Sequence, residues 1–377
     1  LEAVIHKQIE TLFNILPRWT ELKDNFHEIT IFQDINWIES WWHYKSKQKK
    51  ITPYIVEIKQ GNNTIGIVPL YCSYKKIGSF LFRILKPIGS DLSDYLFPIL
   101  SKEFSHEKQL SLAFEKILED KSSWDFIEWV DIPEHSFFDS FLNNHLLKKS
   151  SLIERNITHN CPFLNLSRDI EEVKLKFDEK FLKDIHYKIR KLNRKGEINF
   201  TKVLTEHEIE PVMNKLFKFH CQRWEEKNTP SRFRNSEERK QAIIAAKNLF
   251  KSNLLHLTYL SHNNEIIAVH FGMSDGDKLY YYIPAFDVKF GKYSVGNILV
   301  YNLILQACRE GSGIFDFLRG NENYKKQWGT FNKFNVRYVF FNHSLKSWLF
   351  KSIYFTYNSK YLKLYNQKFI KNRLLAE

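Results

Sequence analysis

Asp316, Arg319, Glu322, Tyr324, Lys325 and Trp328 crowd into one short run near the end of the chain. The run begins inside Ile314–Leu318, an apolar stretch with the length and composition of a buried strand. A charge at Asp316 in such a stretch needs either a polar partner or a place in an active site. The residues that follow bring cation, carboxylate, phenol and indole to one strand end, where α/β folds commonly hold their ligands.

The elements that position this cluster are visible as periodic runs. A hairpin is expected from Pro53–Ile58 and Thr64–Tyr74 around Gly61-Asn62-Asn63, followed by a strand at Phe80–Ile88. A helix near Phe104–Leu118, a strand Trp124–Val130 and a helix Ser136–Leu147 complete the first half. The second half repeats the order. Leu254–Leu260 and Glu265–Met273 flank His262-Asn263-Asn264, and Lys278–Phe286 is the third strand. A helix Val295–Arg309 and strands at Ile314–Leu318 and Asn335–Phe341 follow. Two copies of strand-turn-strand-strand-helix-strand imply a duplicated α/β unit, with the junction at residues 150–165. The expected parts are a first unit at 1–150, a second at 151–343 and a helical tail at 344–377.

Two helices open the second half. Phe177, Phe181, Ile185, Ile189 and Leu192 form an apolar stripe, while Lys180, Lys183, Lys188, Arg190, Lys191, Arg194 and Lys195 occupy other positions. A solvated face is the plain reading, and an anion-facing one the sharper alternative. On the next helix Met213, Leu216, Phe217, His220 and Trp224 share a stripe. His220 reads there as a hydrogen-bonded core histidine rather than a base. Arg223 is freer to reach a ligand.

A chain of 377 residues with 43% hydrophobic and 16% aromatic content supports real cores, and excludes disorder. The net charge of +13 favours an anionic partner. Cys72, Cys161, Cys221 and Cys308 lie far apart, so neither a metal site nor a disulfide framework is expected, and a reducing, cytoplasmic setting is. No apolar run approaches the ~20 residues that span a bilayer, and the N-terminus does not read as a signal peptide.

Between the third strand and the third helix of the second half lies Pro284-Ala285-Phe286-Asp287-Val288-Lys289-Phe290-Gly291-Lys292-Tyr293-Ser294-Val295-Gly296-Asn297. Ser294 is a fitting N-cap, and a helix N-terminus offers free N–H groups to a pyrophosphate. After the matching strand of the first half stands Gly89-Ser90-Asp91-Leu92-Ser93-Asp94-Tyr95, an acidic segment ill suited to phosphates.

The run Asp316–Gly329 resembles the signature of the BioF2-like and CelD/BcsL-type acetyltransferases, GNAT-superfamily relatives of the FemABX peptidyltransferases. Further matches are Phe286-Asp287 with Tyr293-Ser294-Val295-Gly296, the basic helix through Arg190 and Arg194, His220 with Arg223-Trp224, and Ser40-Trp41-Trp42 with Val68-Pro69-Leu70-Tyr71. The resemblance covers nearly the whole chain. It implies an α/β (α+β) fold of tandem GNAT-like domains with mixed, mainly antiparallel sheets flanked by helices, the first unit being degenerate.

It also implies N-acyl transfer from acetyl-CoA or another acyl-CoA, a donor substrate rather than a tightly bound cofactor, to an amine. The acceptor would be an amino sugar or nucleotide-linked glycan precursor for envelope polysaccharide. The strand before the loop would splay from its neighbour to admit pantetheine. Pro284 would mark a bulge there that frees an amide for a thioester carbonyl. The donor would lie along Pro284, Ala285, Phe286, Lys289, Gly291, Lys292, Tyr293, Ser294, Val295, Gly296 and Asn297. Asp316 and Glu322 would take the amine proton, Tyr324 would protonate the leaving thiolate, and Lys325 would steady the oxyanion or a phosphate. Arg223, Trp224, Arg319 and Trp328 would hold the acceptor. No metal is called for. The plain alternatives are that Asp316 pairs with Arg319 and that Tyr324 and Trp328 only pack.

Two other readings stand beside this one: transfer from aminoacyl-tRNA, which the positive charge suits, and a silent scaffold of a glycan-synthesis complex. DNA is not expected as a partner. From Ser344 to Glu377, seven Lys/Arg against one Glu are interleaved with aromatics, a composition suited to peripheral contact with an anionic membrane.

Overall fold

The chain builds two sheets, each containing one parallel pair at the same point in its order. The computed structural model describes residues 1–77, 79–146, 153–226, 228–342, 344, 347–348 and 351. In chain order the strands are β1 (Glu2–His6), β2 (Ile51–Gln60), β3 (Asn63–Ile77), β4 (Phe80–Pro87), β5 (Ile99–Leu100), β6 (Phe126–Pro133) and β7 (Ile153–Asn160). The remainder are β8 (Phe163–Asn165), β9 (Ile198–Lys202), β10 (Leu255–His262), β11 (Glu265–Ser274), β12 (Lys278–Phe286), β13 (Ile314–Asp316) and β14 (Phe334–Phe341). The principal helices are α1 (Ile35–Gln48), α2 (His106–Glu119), α3 (Glu179–Asn193), α4 (Glu206–Glu226), α5 (Ser236–Lys251) and α6 (Val295–Glu310).

Among the described residues one sheet has the order β1-β2-β3-β4-β6-β14-β7, with β5 beside β3, and the other β8-β13-β12-β11-β10-β9. β4 and β6 pair in parallel, as do β12 and β13, where Leu279 faces Phe315 and Tyr280 faces Asp316. A parallel pair needs a crossover, which α2 supplies in the first half and α6 in the second. The hairpin turns follow their residue types. Asn263 and Asn264 both take positive φ, as a two-residue turn matching strand twist requires.

Three expectations are corrected. The strand at 335–341 forms, yet it leaves the second unit: β14 lies between β6 and β7 in the first sheet. It has two apolar faces to bury, Val339 and Phe341 against Phe82, Ile84 and Phe126, and Val336, Tyr338 and Phe340 in the main core. The run Ile314–Leu318 is a strand only to Asp316, because Leu318 turns to φ 55. The helix at Ser136–Leu147 is a short α-helix, Phe137–Phe141, continued by a π turn, Leu142–Leu146. Most of the expected tail, 352–377, lies outside the described residues.

α3 keeps its expected stripe, with Phe181, Ile185 and Leu192 buried and Asp178 capping the Phe181 N–H at 2.7 Å. α6 is apolar around most of its surface and accordingly buried, ending at Gly311 in the left-handed region. Three of the four free cysteines are buried. No described helix is long and apolar enough to cross a membrane.

The two units share one core. Trp37, Ile55 and Trp129 of the first belong to the same buried cluster as Phe217, Phe271 and Tyr280 of the second. α1 meets α5 through Asn36 on Ser252 (2.6 Å) and Asn248 on Ser40 (3.0 Å). Trp37 stands edge-on to Tyr282 at 5.4 Å. Arg319 then bridges the units, 2.5 Å from Asp94 and 3.2 Å from Asp131, both carboxylates being buried. Removing one side of such a cluster strands the other side's charge. Arg319→Ala is expected to cost roughly 3–5 kcal/mol of stability in urea unfolding; a loss under about 1 kcal/mol would mean that the clamp is solvated.

Candidate active site

β12 outlasts β13. The last parallel pair is Tyr280 with Asp316, after which β12 runs on to Phe286 with no partner strand on that side among the described residues. Asp287 donates its N–H to the Ile267 carbonyl at 2.8 Å. Antiparallel alternation therefore points the backbone groups of Ala285 and Ile283 toward β11, and those of Phe286, Pro284 and Tyr282 toward the open side. Proline, which has no N–H, is tolerated at such an edge. Pro284 marks no bulge, since it pairs regularly with His270. The register shift lies lower, between Phe271 and Met273.

The open edge faces a cavity of about 240 Å3 lined by Arg223, Tyr281, Pro284, Ala285, Phe286, Gly291, Ser294, Gly296, Asn297, Leu299 and Tyr324. Of the expected donor residues, Pro284, Ala285, Phe286, Gly291, Ser294, Gly296 and Asn297 are brought together here. Tyr293 and Val295 are buried in the core beneath α6, and Lys289 and Lys292 are exposed outside the lining. Ser294 does not cap α6 with its side chain. It adopts φ 51, and its hydroxyl accepts from Lys188 at 2.8 Å. Lys195 and Lys292 approach the neighbouring Tyr293 ring, so cations gather beside the start of α6.

Tyr324 reaches the cavity from the one-turn helix Asn323–Lys326 and lines it together with Tyr281. Burial, with the nearby Glu322 charge adding to it, pushes the Tyr324 phenol up. It is protonated at neutral pH. Arg223 enters from α4 with its guanidinium 5.0 Å from the Phe286 ring. Trp224 stacks on His220 at 5.6 Å and is not part of the lining.

The rest of the 316–328 cluster serves other surroundings. Asp316 has no exposure and points through the opposite face, where it accepts from Tyr95 at 3.0 Å and pairs with Lys333 at 2.6 Å, not with Arg319. Its second role is local: Asp316 Oδ1 accepts the Leu318 N–H at 2.9 Å. Lys325 is buried and folds its ammonium onto the carbonyls of Phe317, Arg319 and Gly320, with Glu322 at 2.9 Å. Gly320 is required there. At φ 140, a Cβ would sit 2.3 Å from Glu322 Oε2 and 2.7 Å from Lys325 Nζ. Trp328 is a core residue, edge-on to Phe177 and Phe181. Arg319 is held in its clamp.

Asp316 and Lys333 instead line a second cavity of about 350 Å3 between the units, with Glu28, Thr30, Tyr95, Glu134, His135, Lys278 and Tyr280 among its walls. Tyr280 and Tyr281 thus face different cavities, as neighbours on a strand must. Sequence reasoning missed Tyr281, because three consecutive tyrosines hide the alternation. It also missed Tyr95 and Lys333, whose meeting with Asp316 has no local signal. In the first unit the corresponding gap is filled by its own chain: Trp37 and Trp41 bond to Ser93 and Ser90, and Leu96 N–H to the Asp131 carbonyl. No described group of His, Cys, Asp and Glu has the makings of a metal site.

His220 bonds Ser231 at 2.8 Å, and burial, with Arg223 and Arg232 nearby, pushes its imidazole down to about 4. A histidine depressed in the fold adds stability that is complete above its unfolded value near 6.5 and is lost as pH falls toward 4. His220→Gln should flatten urea midpoints between pH 6.5 and 4.5 relative to the parent; identical slopes would show that other groups set them.

Residues 179–326 match the family model of the acetyltransferase (GNAT) domain. No curated protein matches the chain. Among solved structures, FemX is 10% identical, with 89% of this chain and 97% of FemX covered at a TM-score of 0.59. A conserved protein of unknown function from Bacteroides thetaiotaomicron VPI-5482 is 12% identical, with 88% and 96% covered at 0.52. At these identities the likeness is one of fold. The chain carries two mainly antiparallel sheets in the GNAT acyltransferase fold, and its domain match supports an acyltransferase.

Proposed function

We propose that the chain transfers an acyl group from acyl-CoA to an amine, within the BioF2-like and CelD/BcsL-type branch of its fold. One observation carries this reading: a strand edge left unpartnered where β13 stops opens onto a cavity that also receives Tyr324, Tyr281 and Arg223. An extended pantetheine arm bonds a strand edge as an added strand would. The Phe286 N–H is oriented for its carbonyl, and the first turn of α6 with Lys188 for its diphosphate. Tyr324 supplies the proton that the leaving thiolate needs. Arg223 fits an anionic part of the acceptor or donor.

For the acceptor we favour an amino sugar or nucleotide-linked glycan precursor, used at the inner side of the cell envelope. The cavity between the units, with carboxylates and ammonium groups in its walls, supports a charged, polar acceptor. Transfer from aminoacyl-tRNA is the second reading, favoured by the lysines of α3 beside the start of α6.

Thermal shift separates these. Acetyl-CoA or a longer acyl-CoA should raise the melting temperature by several degrees at saturation. Stabilisation by aminoacyl-tRNA alone would favour the second reading, and by neither the scaffold role. Tyr324→Phe should keep the fold and the donor shift while lowering kcat about 100-fold; an unchanged kcat would remove Tyr324 from the chemistry.

A further inference from the structure

Behind the donor cavity, on the sheet face that α6 covers, lies a second set of polar side chains that acyl transfer as described does not use. Thr258 stands opposite His270 across β10 and β11, and His256 opposite Gly272. None of His256, Thr258 and His270 has exposed surface. Among the described residues no hydrogen-bond partner reaches the Thr258 hydroxyl or either ring nitrogen of the two histidines, and Gln306 Oε1 on α6 is unmet as well. Orphaned polar atoms are costly in a protein interior, and native structures meet nearly all of them with protein groups or internal water. Several in one layer call for a shared explanation.

The layer is continuous at both ends. Outward, His256 Nε2 lies 3.7 Å from Glu310 Oε2, and Glu310 pairs with Lys202 at 2.9 Å and accepts from Gln306 at 2.7 Å. Inward, the His256 and His270 rings are 6.1 Å apart, and His270 stacks on Tyr281 at 4.9 Å. Tyr281 and Tyr324 line the same cavity. Gly272 gives the imidazole its room, since a Cβ there would lie 2.0 Å from His270 Cε1.

We infer that internal water joins these side chains, and that the lane from Tyr324 through Tyr281, His270 and His256 to Glu310 carries a proton of acyl transfer to solvent. The inference rests on the acyl-transfer reading. An amine arriving as ammonium gives up two protons as its C–N bond forms and the C–S bond breaks. One ends on the thiol sulfur by way of Tyr324, and the other has to leave a cavity whose mouth the donor fills. A neutral imidazole accepts at one nitrogen and donates from the other, which suits a relay. Burial keeps both rings in that form, with His256 adding to the effect at His270 and Lys202 adding to it at His256, while Glu310 opposes it at His256.

Two measurements test the lane. Deuterium exchange at the imidazole Cε1–H, read by mass spectrometry on the intact native protein, reports water access without turnover. Both histidines should exchange despite their burial, and rings that stay unexchanged for days while turnover is normal would overturn the lane alone. In steady state His270→Leu fills the same slot without nitrogen. It should lower kcat about tenfold or more at unchanged KM, with a larger solvent isotope effect, while His270→Gln recovers most of the rate. A wild-type kcat in His270→Leu, or a loss that Gln does not recover, overturns the relay. Exchange at both rings with no acyl transfer by the parent protein would remove the reading and the lane's use together.

Discussion

A carboxylate buried without exposure has to be answered by its surroundings, and the answers to Asp316 shape the whole second unit. Its charge is met by Lys333 and Tyr95, which fix the second sheet against the first. Its remaining acceptor capacity takes the Leu318 N–H, and that short side-chain turn ends β13. Had the strand continued, it would have covered the β12 edge to Phe286. The open edge, the cavity beside it and the arrival of Tyr324 there all follow from one side chain terminating one strand. Asp316 shapes the site from behind it.

The duplicated order of elements was legible in the sequence because each hairpin carries turn residues with the conformations they favour and each crossover helix a strong apolar pattern. The donor loop was legible for a similar reason: Gly291, Ser294, Gly296 and Asn297 are local features of one strand-to-helix connection. What could not be read was facing. Asp316 and Tyr324 are neighbours in sequence, yet a turn separates them to opposite faces of the sheet. Lys325 looked like a free cation, and its ammonium is consumed by three carbonyls of its own loop. Lys333 and Tyr95 were invisible as partners, since their contact with Asp316 exists only once both sheets have met.

The two units also show how one architecture is kept open in one copy and closed in the other. In the second, Pro284 leaves an edge without a donor at its centre and a 3-10 turn leads into α6. In the first, Ser90, Ser93 and Leu96 occupy the matching space and are bonded by tryptophan indoles and by β6. The tryptophans near Ser40 that accompany the family resemblance are therefore structural plugs, and Ser40 itself is part of the contact with α5.

The placement of β14 has a consequence in time. The first sheet is completed by a strand that the ribosome makes after every described element of the second unit. Until Phe334–Phe341 has emerged, β6 keeps a bare edge, and Phe82, Ile84 and Phe126 lack the apolar residues that cover them. The nascent chain therefore cannot finish its first unit before starting its second. Synthesis order and assembly order run opposite to each other, and the first sheet closes only after the second unit has been made.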